Sequence, residues 1–321
     1  MKRNIAIVWG GYSSEKVVSE KSASGIYSFM DKERYNVWKV RIDREGWFAE
    51  HHGHFLPVNK NDFSILTDEE IVRFDYAYIT IHGTPGEDGT LQGYFDMVGI
   101  PYSGCGVLAS ALTFNKYTCN HFLKNFGVGV PESILLRRGD PYSVEEVITL
   151  LGLPLFVKPN VGGSSFATTK VKEFPALKDA IAEAFTEATE VIVEQFVAGR
   201  EVTCGCFASH RGFTMLPLTE VVTHNEFFDY NAKYNGQVEE ITPAPLPETL
   251  TSIVQQTTER IYRLLGAHGI IRADYILDGT RVVLLEVNTT PGMTPTSFIP
   301  QQVTAAGLQM RDLLTDIIES H

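Results

Sequence analysis

The chain has 321 residues, room for about two domains of average size, and a chain of this length needs no disulfide or metal staples to bury a core. At 44% hydrophobic and 21% charged it has the composition of a globular protein, which excludes a disordered or collagen-like chain. Its 27 Lys and Arg against 39 Asp and Glu give a formal net charge of −12, which argues against nucleic acid or a membrane surface as partner but leaves room for a phosphate held by local cations.

Met1-Lys2-Arg3-Asn4 lead straight into a strand, with no apolar signal core, and no stretch is long enough to span a bilayer. Ile5-Ala6-Ile7-Val8-Trp9 is a continuous apolar run closed by Gly10-Gly11 and followed by Ser13-Ser14-Glu15, the order of a buried strand, a glycine turn and a capped helix start. Ala23, Ile26, Tyr27 and Met30 recur at helical spacing. Residues 35–42 and 76–81 read as strands and 91–98 as a helix, so a parallel α/β layer is expected over roughly the first hundred residues. One long helix is expected over 107–126, stopped by Gly127 and Pro131. A helix from about Ser143, strands at 155–158, near 168 and at 191–195, and a helix over 175–187 form a small α+β unit. Strands are then expected at 202–207 and 215–222, a long polar loop over 223–247, a helix over 250–265, strands at 270–277 and 281–287, and one closing helix over 301–319. The four cysteines, Cys105, Cys119, Cys204 and Cys206, form no C-x-x-C pair and read as reduced thiols. The expectation is a soluble, cytoplasmic protein of several domains.

Lys158-Pro159-Asn160-Val161-Gly162-Gly163-Ser164-Ser165 places a cation just before a glycine-serine loop, whose backbone N–H groups suit phosphate oxygens. The lysine precedes the glycines, so this is not a Walker A loop, and a flexible surface turn fits the same residues. Lys116 offers a second cation, or an exposed helix-face lysine. Arg272-Ala273-Asp274 and Glu286-Val287-Asn288 alternate polar with apolar on two successive strands. If their polar faces coincide, two carboxylates and an amide oxygen converge beside an arginine, a hard-oxygen set suited to Mg²⁺; otherwise they are two solvent-facing strand sides. An uninterrupted hairpin closed by two residues at Asp278-Gly279 pairs odd-numbered with even-numbered positions, which turns the two carboxylates to opposite faces. A shared face therefore requires an odd-length loop or a bulge at this turn. Glu194-Gln195-Phe196-Val197 runs from a strand into a turn at Gly199, with Glu201 beyond. Such a linker can meet an adenine edge through its backbone, with one acid on the exocyclic amine and another on ribose; an interdomain strand with surface acids fits equally. His82 ends a parallel strand, where ligands of open α/β sheets bind and where a structural histidine also fits. His51, His52 and His54 sit in a polar turn, and Cys204 and Cys206 share a core-facing strand side.

Taken in order, these pieces resemble the D-alanine–D-alanine ligases of the ATP-grasp superfamily over nearly the whole chain. The stretches that carry the resemblance begin with Gly10-Gly11-Tyr12-Ser13-Ser14-Glu15 with Val18-Ser19, and His82-Gly83-Thr84-Pro85-Gly86-Glu87-Asp88-Gly89-Thr90-Leu91-Gln92-Gly93. They continue with Tyr102-Ser103-Gly104, Lys116, Val157-Lys158-Pro159, Gly163-Ser164-Ser165, and Asp229-Tyr230 through Lys233-Tyr234. The last are Arg272-Ala273-Asp274 and Glu286-Val287-Asn288-Thr289-Thr290-Pro291-Gly292-Met293-Thr294 with Ser297. The resemblance implies a three-domain ATP-grasp architecture: an N-terminal parallel α/β domain at 1–104, a central unit with the glycine-serine loop at 105–199, and a C-terminal unit with a lid loop and metal site at 200–321, the last two α+β and clasping ATP.

The roles it implies are specific. Lys116, Lys158 and Lys233 would serve ATP, with Glu194 and the Val197 backbone at the adenine edge and Glu201 on ribose. Asp274, Glu286 and Asn288 match Mg²⁺ ligands, for which Mn²⁺ can substitute. Glu15 matches the group that holds the first D-alanine's ammonium, His82 lies near that substrate's carboxylate, and Ser297 matches the contact to the second carboxylate. Arg272 and the Gly292 N–H match the oxyanion-stabilising pair, while Glu15, Ser164 and Tyr234 match a hydrogen-bonded set. Two stretches depart from commoner family forms: Gln195-Phe196 replaces a frequent Lys-Trp beside adenine, and Val161-Gly162 a frequent charged pair. The resemblance implies ATP-dependent ligation of two D-alanines through a D-alanyl phosphate for peptidoglycan precursors, in a cytoplasmic homodimer that engages neither nucleic acid nor membrane. The tyrosine at 234 favours the dipeptide over D-alanyl-D-lactate. Residues 223–240 are expected to be a lid, mobile without ligand and ordered with it. The alternatives are another ATP-grasp carboxylate–amine ligase, a D-alanine–D-lactate ligase, and a nucleotide-binding regulatory protein without catalysis.

Overall fold

The computed structural model describes residues 2–13, 15–163, 167–223 and 238–320. The first apolar run becomes β1 (Arg3–Gly10), followed by α1 (Lys16–Phe29) and β2 (Tyr35–Asp43). Ser13, expected in the capped start, receives the Glu15 N–H at 3.3 Å, while Glu15 itself is the N-cap without a side-chain cap bond. Next come β3 (Gly46–His51), β4 (His54–Asn59), β5 (Ser64–Leu66), β6 (Ile71–Arg73) and β7 (Tyr76–Ile79). The seven strands lie in the order β6-β5-β4-β3-β2-β1-β7. Only β2, β1 and β7 are parallel; β2 through β6 form an antiparallel meander. The parallel α/β layer expected from the sequence is present as β2-β1-β7, and the structure extends it with an antiparallel meander into a mixed sheet. Its added strands are joined by turns far too short for the crossover that parallel strands need.

Helix α2 (Thr90–Val98) leads to α3 (Val107–Phe114) and α4 (Lys116–Lys124). The single helix expected over 107–126 is therefore broken at Asn115. There the backbone turns extended, and the Asn115 side chain accepts the Thr118 N–H at 2.9 Å. Asn160 completes the break, taking the Lys116 N–H on its carbonyl at 3.1 Å and the Tyr117 N–H on Oδ1 at 2.8 Å. A second sheet follows from β8 (Ser133–Arg137), β9 (Leu155–Pro159), β10 (Thr169–Val171) and β11 (Glu190–Gln195), antiparallel in the order β10-β9-β11-β8. It carries α5 (Val144–Leu151), capped by Ser143, and α6 (Ala176–Glu187).

The third sheet is built from β12 (Arg200–Ser209), β13 (Gly212–Met215), β14 (Thr219–Thr223), β15 (Val238–Ile241), β16 (Ile270–Asp278) and β17 (Arg281–Asn288). Its order is β15-β14-β12-β16-β17, with β13 paired to β12. The strand expected over 215–222 is two strands, separated at Pro217, which has no N–H for the ladder. Of the polar loop expected over 223–247, Thr223 and residues 238–241 are strand, and residues 224–237 lie outside the described residues. Helix α7 (Glu248–Leu264) precedes the β16–β17 hairpin. The closing helix is two, α8 (Phe298–Ala305) and α9 (Met310–Ile318), with Gly307 left-handed between them at φ 72°.

The cores cross sequence order. Ile5, Ile7, Ala23 and Ile26 pack with Leu216, Met293, Ile299, Leu313 and Ile317, so α8 and α9 close one face of the first sheet. Cys105, Cys119 and Leu123 pack instead with Cys204, Cys206, Ile271 and Leu284 beneath the third sheet. Among the described residues no helix is long and apolar enough to cross a membrane.

Candidate active site

Helix α1 is seated directly on the loop after β17. A methyl group at Gly25 would collide with the Met293 carbonyl, so only glycine allows this approach. The seating brings Glu15, 6% exposed, between two glycine segments. A Cβ on Gly163 would stand 2.9 Å from Glu15 Oε1, and one on Gly83 3.3 Å from Oε2. The end of β7 contributes His82, whose Nε2 lies 3.1 Å from Ser22 Oγ. Burial, reinforced by the positive charge of Arg272, pushes the imidazole down to about 4, so it is neutral at physiological pH. Glu87 accepts the Gly83 N–H at 2.7 Å. Burial, with the nearby Glu15 carboxylate, pushes Glu87 up to about 8.

On the second sheet, Lys158 of β9 and Glu194 of β11 form a buried ion pair at 2.6 Å. The other oxygen of Glu194, Oε1, is buried with no hydrogen-bond partner among the described residues, a waiting acceptor at the strand's end. The Lys116 ammonium donates to the Gly162 carbonyl, holding the glycine loop. Burial lowers its pKa and Lys158 acts in the same direction, while Glu286, Glu87 and Glu15 oppose them. The Phe196 ring lies under the Lys170 ammonium, 3.8 Å from its centroid, and 5.9 Å from the Phe156 ring.

On the third sheet, Asp274 and Glu286 pair directly across β16 and β17. The turn is a regular two-residue one, Gly279-Thr280 between Asp278 and Arg281, and the register shifts between Asp274 and Tyr275. The bulge that the sequence requires is therefore present, but at Leu285 and not at the turn. Asp274 accepts four hydrogen bonds: Arg272 Nε at 2.8 Å and Thr203 Oγ1 at 2.6 Å on Oδ1, Arg272 Nη2 at 2.7 Å and Asn288 Nδ2 at 3.0 Å on Oδ2. All of its acceptor positions are thereby filled. Burial disfavours the Arg272 charge, but Asp274, with Glu286 and Glu201, more than offsets it and the guanidinium pKa is raised. The Phe298 ring flanks Arg272 at 5.2 Å. Ser297 Oγ accepts the Thr294 N–H at 3.1 Å, beside Gly292.

These groups line one cavity of about 1350 Å³. That exceeds the roughly 300–1,000 Å³ typical of a single small-molecule site. Glu15 and His82 lie on it with Lys116, Lys158, Glu194, Val197 and Glu201, and so do Arg272, Asp274, Glu286, Asn288, Gly292 and Ser297. Ser164, Lys233 and Tyr234, with residues 224–237 of the expected lid, fall outside the described residues. The sequence reading assigned nothing to Glu87, Thr203, Glu220, Glu240 or Phe298, which also line the cavity. Glu87 lies within a quoted motif, and Thr203 shares a strand face with Glu201, so both had a signal. Among the described residues no group of three or more His, Cys, Asp or Glu is arranged to hold a metal. The set expected from the sequence adds to Asp274 and Glu286 only an amide, Asn288, which donates to Asp274.

Three sheets sharing one cavity, with a lysine-flanked glycine loop opposite a carboxylate hairpin, constitute an ATP-grasp ligase fold. Two family models match, described as D-ala D-ala ligase N-terminus over residues 4–105 and D-ala D-ala ligase C-terminus over residues 122–319. The chain belongs to the D-alanine–D-alanine ligase family. It is 60% identical over 322 aligned residues to a D-alanine–D-alanine ligase of Bacteroides fragilis, covering 100% of this chain and 99% of that one. A D-alanine–D-alanine ligase of Parabacteroides distasonis is 61% identical, with 99% and 97% covered. Among solved structures, D-alanyl-alanine synthetase A of Vibrio cholerae superposes with a TM-score of 0.89 at 30% identity, covering 99% of this chain and 98% of that one. The VanG D-Ala:D-Ser ligase of Enterococcus faecalis superposes at 0.86 and 31% identity, with 99% of both chains covered. A Bacillus anthracis D-alanine–D-alanine ligase complexed with ATP superposes at 0.79 and 30% identity, covering 99% and 97%.

Proposed function

We propose that this chain joins two D-alanines at the expense of ATP, releasing ADP and phosphate, for peptidoglycan precursor synthesis. The observation that carries the reading is the single cavity, which holds a nucleotide-type set of groups and an amino-acid-type set together. The Lys116 and Lys158 ammonium groups offset phosphate charge, Glu194 Oε1 and the Val197 backbone receive the adenine edge, and Glu201 receives ribose. Glu15 holds the first ammonium. His82, neutral, offers a hydrogen bond without a charge, and Arg272 supplies the charge near the carboxylate. That carboxylate attacks the γ-phosphoryl group, and ADP leaves. Such transfer depends on positioning and charge neutralisation more than on covalent help. The deprotonated amine of the second D-alanine, anchored through Ser297, then attacks the acyl carbon. Arg272 and the Gly292 N–H receive the developing oxyanion, and phosphate leaves as the amide forms. Ser164 and Tyr234 take the roles the resemblance gives them, orienting the incoming amine with Glu15.

Asp274, Glu286 and Asn288 suit Mg²⁺, or Mn²⁺ in its place, because all three offer hard oxygen. Asn288 now presents its NH₂ to Asp274, and turning its amide over would expose the oxygen as a ligand. The ion would neutralise phosphate charge. Product analysis with D-alanine, D-serine and D-lactate in competition tests the reading. D-alanyl-D-alanine with stoichiometric ADP supports it, whereas mainly ester or D-alanyl-D-serine overturns the substrate assignment. Tyr234→Phe should keep ATP binding and lose dipeptide synthesis. Sedimentation of the purified protein tests the homodimer, and cell fractionation its place in the cytoplasm.

A further inference from the structure

Helix α8 grips both strands of the β14–β15 pair through two adjacent glutamines. Gln302 is fully buried: its Nε2 donates to Thr203 O and to Thr219 Oγ1 of β14, both at 3.1 Å, and its Oε1 accepts the Gly205 N–H at 3.0 Å. Gln301 reaches two residues that line the cavity, Glu240 and Thr296. Its Nε2 donates to Glu240 Oε2 of β15 at 2.6 Å and to the Thr296 carbonyl at 2.7 Å. An amide nitrogen carries two hydrogens, so both donors of Gln301 are spent in linking β15 to the loop immediately before Ser297.

We propose that Glu240 and Gln301 form a positioning pair that fixes the Thr296-Ser297 backbone and so sets the affinity for the second amino acid. The inference rests on the reading of Ser297 as the anchor of that substrate's carboxylate. Ser297 opens α8, and its hydroxyl is oriented by Thr294, whose N–H donates to it at 3.1 Å and whose Oγ1 lies 2.8 Å away. Holding the Thr296 carbonyl immobilises the peptide that leads into Ser297. Glu240 makes that hold directional, because a carboxylate orders the amide that would otherwise swing between water and Thr296. Gln302 anchors the same helix into the core, so the pair acts on the loop and not on the helix as a whole. Among the described residues no hydrogen bond or ion pair links Glu240 or Gln301 to the proposed nucleotide set.

The test is initial-rate kinetics of the full chain, resolving first-site and second-site D-alanine constants and the ATP constant, for Gln301→Ala, Glu240→Ala, the double variant and Glu240→Gln. Second-site KM should rise by roughly 3- to 10-fold in each alanine variant, the range of one ordinary hydrogen bond's net contribution. The double variant should be no worse than Gln301→Ala alone, and Glu240→Gln, which keeps an acceptor, should recover most of the affinity. Unchanged second-site KM in both single variants, additive losses in the double, or a parallel fall in ATP affinity and thermal stability overturns the pair's role. Ser297→Ala is the control. If it leaves second-site KM unchanged, the Ser297 reading fails; if it raises KM while Gln301→Ala does not, the pair alone fails.

Discussion

Asp274 and Glu286 face one another across β16 and β17 because the ladder passes over Leu285. On the turn side of the bulge odd-numbered residues pair with even-numbered ones; beyond it the parity changes, and both carboxylates reach the cavity face. Removing Leu285 takes out the unpaired residue and leaves Asp274 opposite Glu286 in an unbroken hairpin, with both carboxylates still on one face. If the shared face is what the site needs, the deletion variant should fold and keep ATP-dependent ADP release within about 10-fold. A loss of roughly 100-fold or more, with circular dichroism still reporting folded protein, would show that the bulge itself positions the carboxylates.

Lys158 and Glu194 form a pair whose members depend on each other unequally. The Glu194 side chain is 4% exposed and has one oxygen already without a partner. Lys158→Met should destabilise the fold by about 3–5 kcal/mol, because it strands a buried carboxylate. Combining it with Glu194→Gln should restore much of that loss. Urea titrations of the single and double variants measure the difference.

Gly25 sets how closely α1 approaches the loop that carries Gly292. Gly25→Ala would favour the helix intrinsically but force Met293 away. The expected net effect is a loss of about 1–3 kcal/mol from overpacking, with a raised KM for the first D-alanine as Glu15 shifts. Thermal melts and substrate titration of this one variant read both.

Two buried groups tilt stability with pH in opposite senses. His82 ionises at an ordinary 6.5 when unfolded and near 4 when folded. As pH falls through that window the unfolded chain gains a proton that the native state refuses, so stability is lost on acidification, up to about 3 kcal/mol. Glu87 holds its proton in the native state to about 8 but releases it near 4.5 when unfolded. Its contribution is therefore lost as pH rises through that interval. His82→Gln should flatten the acid limb of a stability–pH profile. The stabilisation from Glu87→Gln should grow as pH rises through the same interval. Denaturant titrations across the range separate the two limbs.

Much of this arrangement is legible in the chain because glycine, proline and alternating polar residues announce it. The run from Ile5 to Trp9, the Lys158 loop and the Arg272–Asp274 alternation each name their own structure. What the sequence hides is set by single side chains acting at a distance. Asn115 sits within an unbroken helical pattern, and the helix ends there because Asn160, far along the chain, takes its next two N–H groups. The meander from β3 to β6 has short, weakly alternating strands, in which a period of two barely registers. Parity demanded a bulge between Asp274 and Glu286, but no residue type marks Leu285 as its place. Glu240 and Gln301 are 61 positions apart, and neither has a neighbour in the sequence that anticipates the other.

Tyr35 donates to Glu319 at 2.6 Å across 284 positions of sequence, and the core beneath β1 is completed by Leu313 and Ile317. During synthesis the first sheet therefore emerges long before the helices that cover it. Until α9 arrives, Ile5, Ile7 and Tyr35 present an open apolar face, the kind of surface that chaperones hold and that drives aggregation. Contacts of such sequence separation also slow the final step of folding, since the intervening chain must be ordered first. A nascent chain stalled before residue 310 should bind a holdase, and release should follow once α9 has cleared the ribosome.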